Sequence, residues 1–141
     1  MFFGTYSPRL DDKGRLFLPA KFREELAKGL VVTRGQERCL YVWPTAEFEA
    51  FAGSLRNASL RHKPSREFTR MLLNGATDDP PDKQGRITIS PVPRQYASLD
   101  RYCVVTGAMN RVEIWDSEAF RRWSEQNEQS FADFSEDLSA P

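Results

Sequence analysis

A charged turn that runs straight into an alternating apolar segment occurs twice in this 141-residue chain. The first copy is Asp11-Asp12-Lys13-Gly14-Arg15-Leu16-Phe17-Leu18-Pro19-Ala20-Lys21-Phe22-Arg23. The second, Asp82-Lys83-Gln84-Gly85-Arg86-Ile87-Thr88-Ile89-Ser90-Pro91-Val92-Pro93-Arg94, keeps the Asp, the Gly, both arginines and the alternation at an offset of 71. Further on the offset becomes 72: Val31-Val32-Thr33-Arg34-Gly35 aligns with Cys103-Val104-Val105-Thr106-Gly107, and Trp43, Thr45, Phe48 and Phe51 align with Trp115, Ser117, Phe120 and Trp123. One inserted residue over a whole repeat marks internal duplication. A chain this long buries one good core, so the two copies are expected to share it.

The local pattern within each copy is readable. Residues 2–10 mix aromatic and small residues and end in Ser7-Pro8-Arg9-Leu10, the signature of an edge strand, because proline donates nothing to a ladder. Gly14 makes positive φ cheap and Asp11 or Asp12 can accept turn amides, so a tight reversal should lead to a partner strand at Arg15–Leu18. Strand alternation puts Leu16 and Leu18 inward, and Arg15 and Phe17 on the other face. Pro19 opens a short helix carrying Phe22 and Leu26 on one side, and Gly29 stops it. Leu30–Thr33 and Cys39–Trp43 read as a hairpin around a polar glycine-containing loop. Thr45 is placed to cap a helix with Phe48, Phe51 and Leu55 on one face.

Residues 56–75 are a basic loop with His62 exposed, followed by a connecting helix, and residues from about 127 to 141 are acidic, Ser-rich and expected to be poorly ordered. The basic segment reads either as a phosphate-contacting surface or as a solvated helix face whose apolar stripe packs on the core.

Several function classes are excluded by what the chain lacks. No apolar run approaches the ~20 residues of a membrane span, and no secretion signal precedes the first strand, so a cytoplasmic location is expected. Cys39 and Cys103 have no CxxC partner and His62 is the single histidine, so no metal site and no cofactor are expected. Buried, reduced thiols fit better. No phosphate-loop lysine motif, nucleophile elbow or Cys–His pairing is present, which argues against an enzyme. Net charge is zero, yet eight acidic and two basic residues from Glu113 onward leave −6 there and +6 in the rest. A basic body with an acidic tail suits a nucleic-acid binder and also an ordinary solvated surface.

The Asp-x-x-Gly-Arg motif has two readings. Arginine offers a planar fork of donors matched to phosphate or to guanine O6 and N7, and a neighbouring glycine lets backbone approach closely. Alternatively, Asp11–Arg15 and Asp82–Arg86 are ion pairs that staple their own turns, worth up to about 1 kcal/mol if exposed.

Over roughly residues 1–125 the chain resembles the MraZ family of bacterial transcriptional regulators. The resemblance is carried by Gly4, Leu10-Asp11-x-Lys13-Gly14-Arg15-Leu16, Pro19, Arg23, Leu72-Leu73-x-Gly75-Ala76, Asp82-x-x-Gly85-Arg86, Arg94 and Glu113-x-Trp115-Asp116. It implies an α+β fold: two repeats forming an intramolecular, pseudo-two-fold, AbrB-like swapped-hairpin β-barrel with peripheral helices. The division would be repeat 1 over 5–47, a helical and basic linker over 48–75, repeat 2 over 76–119, and a C-terminal helix and acidic tail over 120–141.

The resemblance further implies DNA binding through Asp11, Lys13, Gly14 and Arg15 and through Asp82, Gly85 and Arg86. The expected partners are double-stranded DNA with short direct repeats upstream of the division and cell-wall genes, further copies of the chain in a ring of eight or twelve, and an rRNA methyltransferase encoded nearby. Nucleoid association would follow. Where Lys13 becomes Gln84 the second turn is less basic, so Arg15 is expected to outweigh Arg86; Pro19 likewise becomes Ser90, its prolines displaced to Pro91 and Pro93.

Overall fold

The computed structural model describes residues 1–57 and 60–135. Seven strands and five α-helices follow one another as β1 (Thr5–Tyr6), β2 (Arg15–Phe17), α1 (Ala20–Leu26), β3 (Leu30–Arg34), β4 (Leu40–Pro44), α2 (Thr45–Arg56), α3 (Lys63–Asn74), β5 (Arg86–Thr88), α4 (Pro91–Tyr96), β6 (Cys103–Gly107), β7 (Val112–Asp116) and α5 (Ser117–Ala132). All pairings are antiparallel and form two sheets. One is five-stranded, in the order β1-β6-β7-β4-β3; the other is a ribbon of β2 and β5.

The duplication is visible in the registers. In the ribbon Leu16 faces Ile87, its own equivalent at an offset of 71, and in the large sheet Tyr41 faces Glu113, equivalents at an offset of 72. Equivalent residues can oppose each other in two antiparallel pairs only if the repeats are related by an approximate two-fold axis. The core lies between ribbon and sheet. Leu16, Leu18, Phe22 and Leu26 from one repeat meet Ile87, Ile89, Val105 and Ile114 from the other in a single buried cluster, which is the shared core the chain length called for.

Three expectations need correction. The large sheet is open, with β1 and β3 at its edges, rather than closed into a barrel; among the described residues the only continuation beyond β3 is one bridge from Val32 to Thr77. Second, β2 does not form a hairpin with the segment before it. Pro8 has no N–H to extend such a ladder, and a single bridge, Leu10 to Leu16, survives. The segment pairs instead with β6 of the other repeat, leaving β2 free to take β5.

Third, the acidic tail is helical as far as Ala132, held partly by Arg121 bridging Glu118 and Glu125 along one face. Residues 136–141 of that tail lie outside the described residues. Small corrections concern the helix starts. Pro19 is the N-cap of α1 rather than its first helical residue, and Pro44 holds that place in α2, so Thr45 is already helical and caps nothing. Thr45 Oγ1 lies instead against Gly29.

The hairpin of β3 and β4 forms over five paired residues, as the two apolar runs around a polar glycine-containing loop predict. The aromatic positions of α2 and α5 turn inward onto tryptophans. Phe51 stacks on Trp43 with ring centroids 5.1 Å apart and Phe48 meets it edge-on; Phe120 and Trp123 meet Trp115 at 5.6 Å. The one fully buried polar side chain among the described residues, Thr33, accepts a 3.0 Å hydrogen bond from Trp43 Nε1.

Candidate nucleic-acid interface

The two motif turns adopt the same geometry to within 0.1 Å. Asp11 Oδ1 accepts hydrogen bonds from the backbone N–H of Lys13 (2.9 Å) and Arg15 (2.8 Å), and its Oδ2 accepts from Arg15 Nε at 2.8 Å. Asp82 does the same with Gln84 (2.9 Å), Arg86 (2.9 Å) and Arg86 Nε (2.8 Å). Each carboxylate therefore closes the turn and orients the arginine with one set of bonds. The backbone N–H of Arg15 is the main reason the Asp11 carboxyl is held below its ordinary range, with the Arg15 side chain and the Lys13 amide adding to it against a desolvation cost. Asp82 is lowered in the same way, first by the Arg86 amide.

The ion-pair reading of the sequence is thus realised, and it does not exhaust the arginines. Only Nε is engaged in each case; neither terminal nitrogen of Arg15 or Arg86 donates to a protein group among the described residues. The Arg15 side chain is 31% exposed and that of Arg86 21%.

Strand parity then collects the site. On β2 and β5, Leu16 and Ile87 are buried, while Arg15, Phe17, Arg86 and Thr88 share the opposite face. Arg15 pairs with Thr88 and Phe17 with Arg86, so the two arginines lie on one diagonal, their Cα atoms roughly 8 Å apart by strand geometry. Phe17 is 49% exposed between them, with the Arg86 guanidinium 5.9 Å from its ring centre. Lys13 is exposed at the turn, whereas Gln84 holds its place in the other. The structure therefore brings Asp11, Gly14, Arg15, Asp82, Gly85 and Arg86 onto one ribbon, with Lys13 at one end of it.

Sequence reasoning gave Gly14 a turn-forming backbone role, and the resemblance gave Gly14 and Gly85 a place in DNA binding. Both do have positive φ, +77° and +81°. Each is also a point of contact between repeats. A Cβ on Gly14 would strike the Arg94 guanidinium and come within 2.8 Å of the Ile89 carbonyl; one on Gly85 would meet Arg23 Nε at 2.6 Å. Arg23 Nε donates to the Leu18 carbonyl and Arg94 Nη2 to that of Ile89, both at 2.8 Å. Leu18 N–H in turn donates to Gly85 O, and Ile89 N–H to Gly14 O. The first turn is backed by the second repeat, and the second by the first. Arg23 and Arg94 carried a signal for this role, recurrence at the motif offset, but nothing local to either says what it touches.

The remaining chemistry-bearing residues stand apart from the ribbon. Cys39 and Cys103 are buried, and burial pushes both thiols up, that of Cys103 to about 11, which makes them inert. His62 is exposed, as expected, and caps α3, its Nδ1 accepting from Ser65 N–H at 3.3 Å. Among the described residues no group of three or more His, Cys, Asp and Glu side chains is arranged to hold a metal ion, and no helix is long and apolar enough to cross a membrane.

The chain is thus a duplicated α+β protein whose two carboxylate-oriented arginines share one outward ribbon face. A family model described as "MraZ protein, putative antitoxin-like" matches the chain twice, over residues 1–71 and 72–139. Proteins named "Transcriptional regulator MraZ" from Parafrankia sp. (strain EAN1pec) and Salinispora tropica are both 56% identical to it, the first over 98% of this chain and 96% of the relative, the second over 96% of each. The protein of that name from Micrococcus luteus is 54% identical over 98% of this chain and 96% of its own length. The chain belongs to the MraZ family.

Proposed function

We propose that the chain is a sequence-specific DNA-binding transcriptional regulator that reads short direct repeats through the β2–β5 ribbon. The observation that carries this reading is the outward ribbon face with Arg15 and Arg86 oriented by Asp11 and Asp82 and their terminal nitrogens unspent. A two-stranded ribbon fits a major groove about 12 Å wide, and an arginine fork there reads guanine O6 and N7. Phe17 between them offers an apolar surface suited to a thymine methyl. Lys13, at the first turn, is placed for phosphate.

A protomer with zero net charge and a few contacts binds one site weakly. We propose that it works as a ring of eight or twelve copies on several repeats at once, where linkage multiplies affinity by about 10² to 10⁴. Its targets on this reading lie upstream of the division and cell-wall genes, and the protein acts in the cytoplasm at the nucleoid. The units of this machine are the repeats 5–47 and 76–119, the linker 48–75 and the C-terminal segment 120–141. A rival reading, docking to the neighbouring rRNA methyltransferase, has less support, because the aromatic pairs available for it pack onto Trp43 and Trp115.

The test is a footprint on DNA upstream of the chain's own gene, followed by binding of Arg15→Ala and Arg86→Ala across a salt series. Protected, regularly spaced repeats are expected. Loss of a base contact costs about 1 to 3 kcal/mol and relaxes preference at one position, whereas loss of a phosphate contact lowers the salt slope by about one. Arg15→Ala is expected to be the more harmful, since Arg15 is the more exposed and has Lys13 beside it. Unchanged affinity in both variants would remove the ribbon from the interface.

A further inference from the structure

The approximate two-fold equates α2 with α5, yet among the described residues only α2 has a companion helix. Helix α3 lies beside it, and between the two runs a groove of about 590 Å³ lined by Leu55, Leu60 and Leu73 and by Arg56, Arg66 and Arg70. Leu60 is 81% exposed there and Leu73 47%. Helix α5 leans on β6 and β7 through its first two turns and then runs on with every residue from Glu125 to Ser135 exposed. Its outer part carries Glu125, Glu128 and Asp133 with no lysine or arginine. Phe131 is 84% exposed and Phe134 53%.

A helical segment of about two turns with no tertiary packing is marginal in water, because most helix stability in proteins comes from burying one face. Trp123 and Phe131 lie toward one side of α5 by helical spacing, with Glu128 less than a turn before Phe131, and Asp133 and Phe134 follow directly after the helix ends at Ala132. The groove has an apolar lining too, but the opposite charge. Two unlike faces of one chain that complement each other in apolar character and charge give a head-to-tail contact, the kind that closes into a ring when its rotation allows.

We infer that the outer half of α5 and the residues just after it, with Phe131 and Phe134 as anchors, dock into the α2–α3 groove of the next copy of the chain. Glu128 and Asp133 then face Arg66 and Arg70 across the rim. This rests on the ring assembly proposed above, and it assigns the basic linker to the assembly rather than to DNA.

The experiment is molar mass in solution, by light scattering or sedimentation, for the full chain and two charge reversals. One variant carries Glu128→Arg and Asp133→Arg, the other Arg66→Glu and Arg70→Glu. With wild type a multimer, each variant alone is expected to run as a folded monomer by circular dichroism and mass. An equimolar mixture regains the multimer, because each reversed helix then meets a reversed groove. A monomeric wild type overturns the ring reading itself. A multimeric wild type with both variants still multimeric overturns only this contact, as does a mixture that stays monomeric.

Discussion

Asp11 and Asp82 each perform two tasks with three hydrogen bonds, and the division between those tasks can be measured. Because the Arg15 backbone N–H is the largest cause of the lowered Asp11 pKa, truncating the side chain leaves that largest cause in place. NMR titration of the Asp11 carboxyl should therefore give a midpoint below the ordinary 3.8, and Arg15→Ala should leave it still below. The sign follows from linkage: a carboxyl with a depressed folded pKa contributes stability that is intact above its unfolded value and is lost as pH falls through the folded one. The turns should thus keep their form at neutral and mildly acidic pH and loosen only below about pH 4. A midpoint at or above 3.8 would mean the amide bonds do not hold the charged form. This turn was largely legible in the sequence, since Asp, Gly and Arg at that spacing have few other ways to satisfy one another.

Elements were legible where their signal is local. Two apolar runs around a polar loop located the hairpin of β3 and β4, and the spacing of Phe22 and Leu26 located α1. What escaped was long-range. The partner of β2 is fixed by which distant segment covers Leu16, and closure or opening of a sheet depends on edges that alternation does not describe. Helix α5 was underestimated because its outer half has few apolar residues, while its continuation draws on the Glu118–Arg121–Glu125 ladder.

The symmetry between elements is also imperfect in a way that sets an expected difference. Trp43 Nε1 is the donor to the buried Thr33 hydroxyl, whereas Trp115 Nε1 donates to Glu113, which Arg111 also holds. Trp43→Phe leaves a buried hydroxyl short of a partner, a cost of about 1 to 3 kcal/mol. Trp115→Phe should cost less, because the Glu113 carboxylate keeps its arginine. Urea unfolding of the two variants checks the order, and equal losses would make the Thr33 bond unimportant.

At the scale of the whole molecule the site is shared property. The ribbon needs one strand from each repeat, the core mixes both, and the arginine behind each turn comes from the opposite half. The measurable result is a crossed effect: Arg23→Ala should disturb the amide resonances of residues 82–86 more than those of residues 11–15, and Arg94→Ala the reverse. Disturbance confined to the mutated residue's own repeat would contradict the crossed arrangement.

The pairing of Arg23 with Gly85, and of Arg94 with Gly14, bears on the chain's inheritance. A gene that doubles is normally free to let one copy drift, since the other still performs the task. Here that freedom is withheld, because a lesion in either half spoils the other half's turn. The sequence can diverge where a copy meets solvent, as Lys13 and Gln84 have, but the motif positions are bound to change together or not at all.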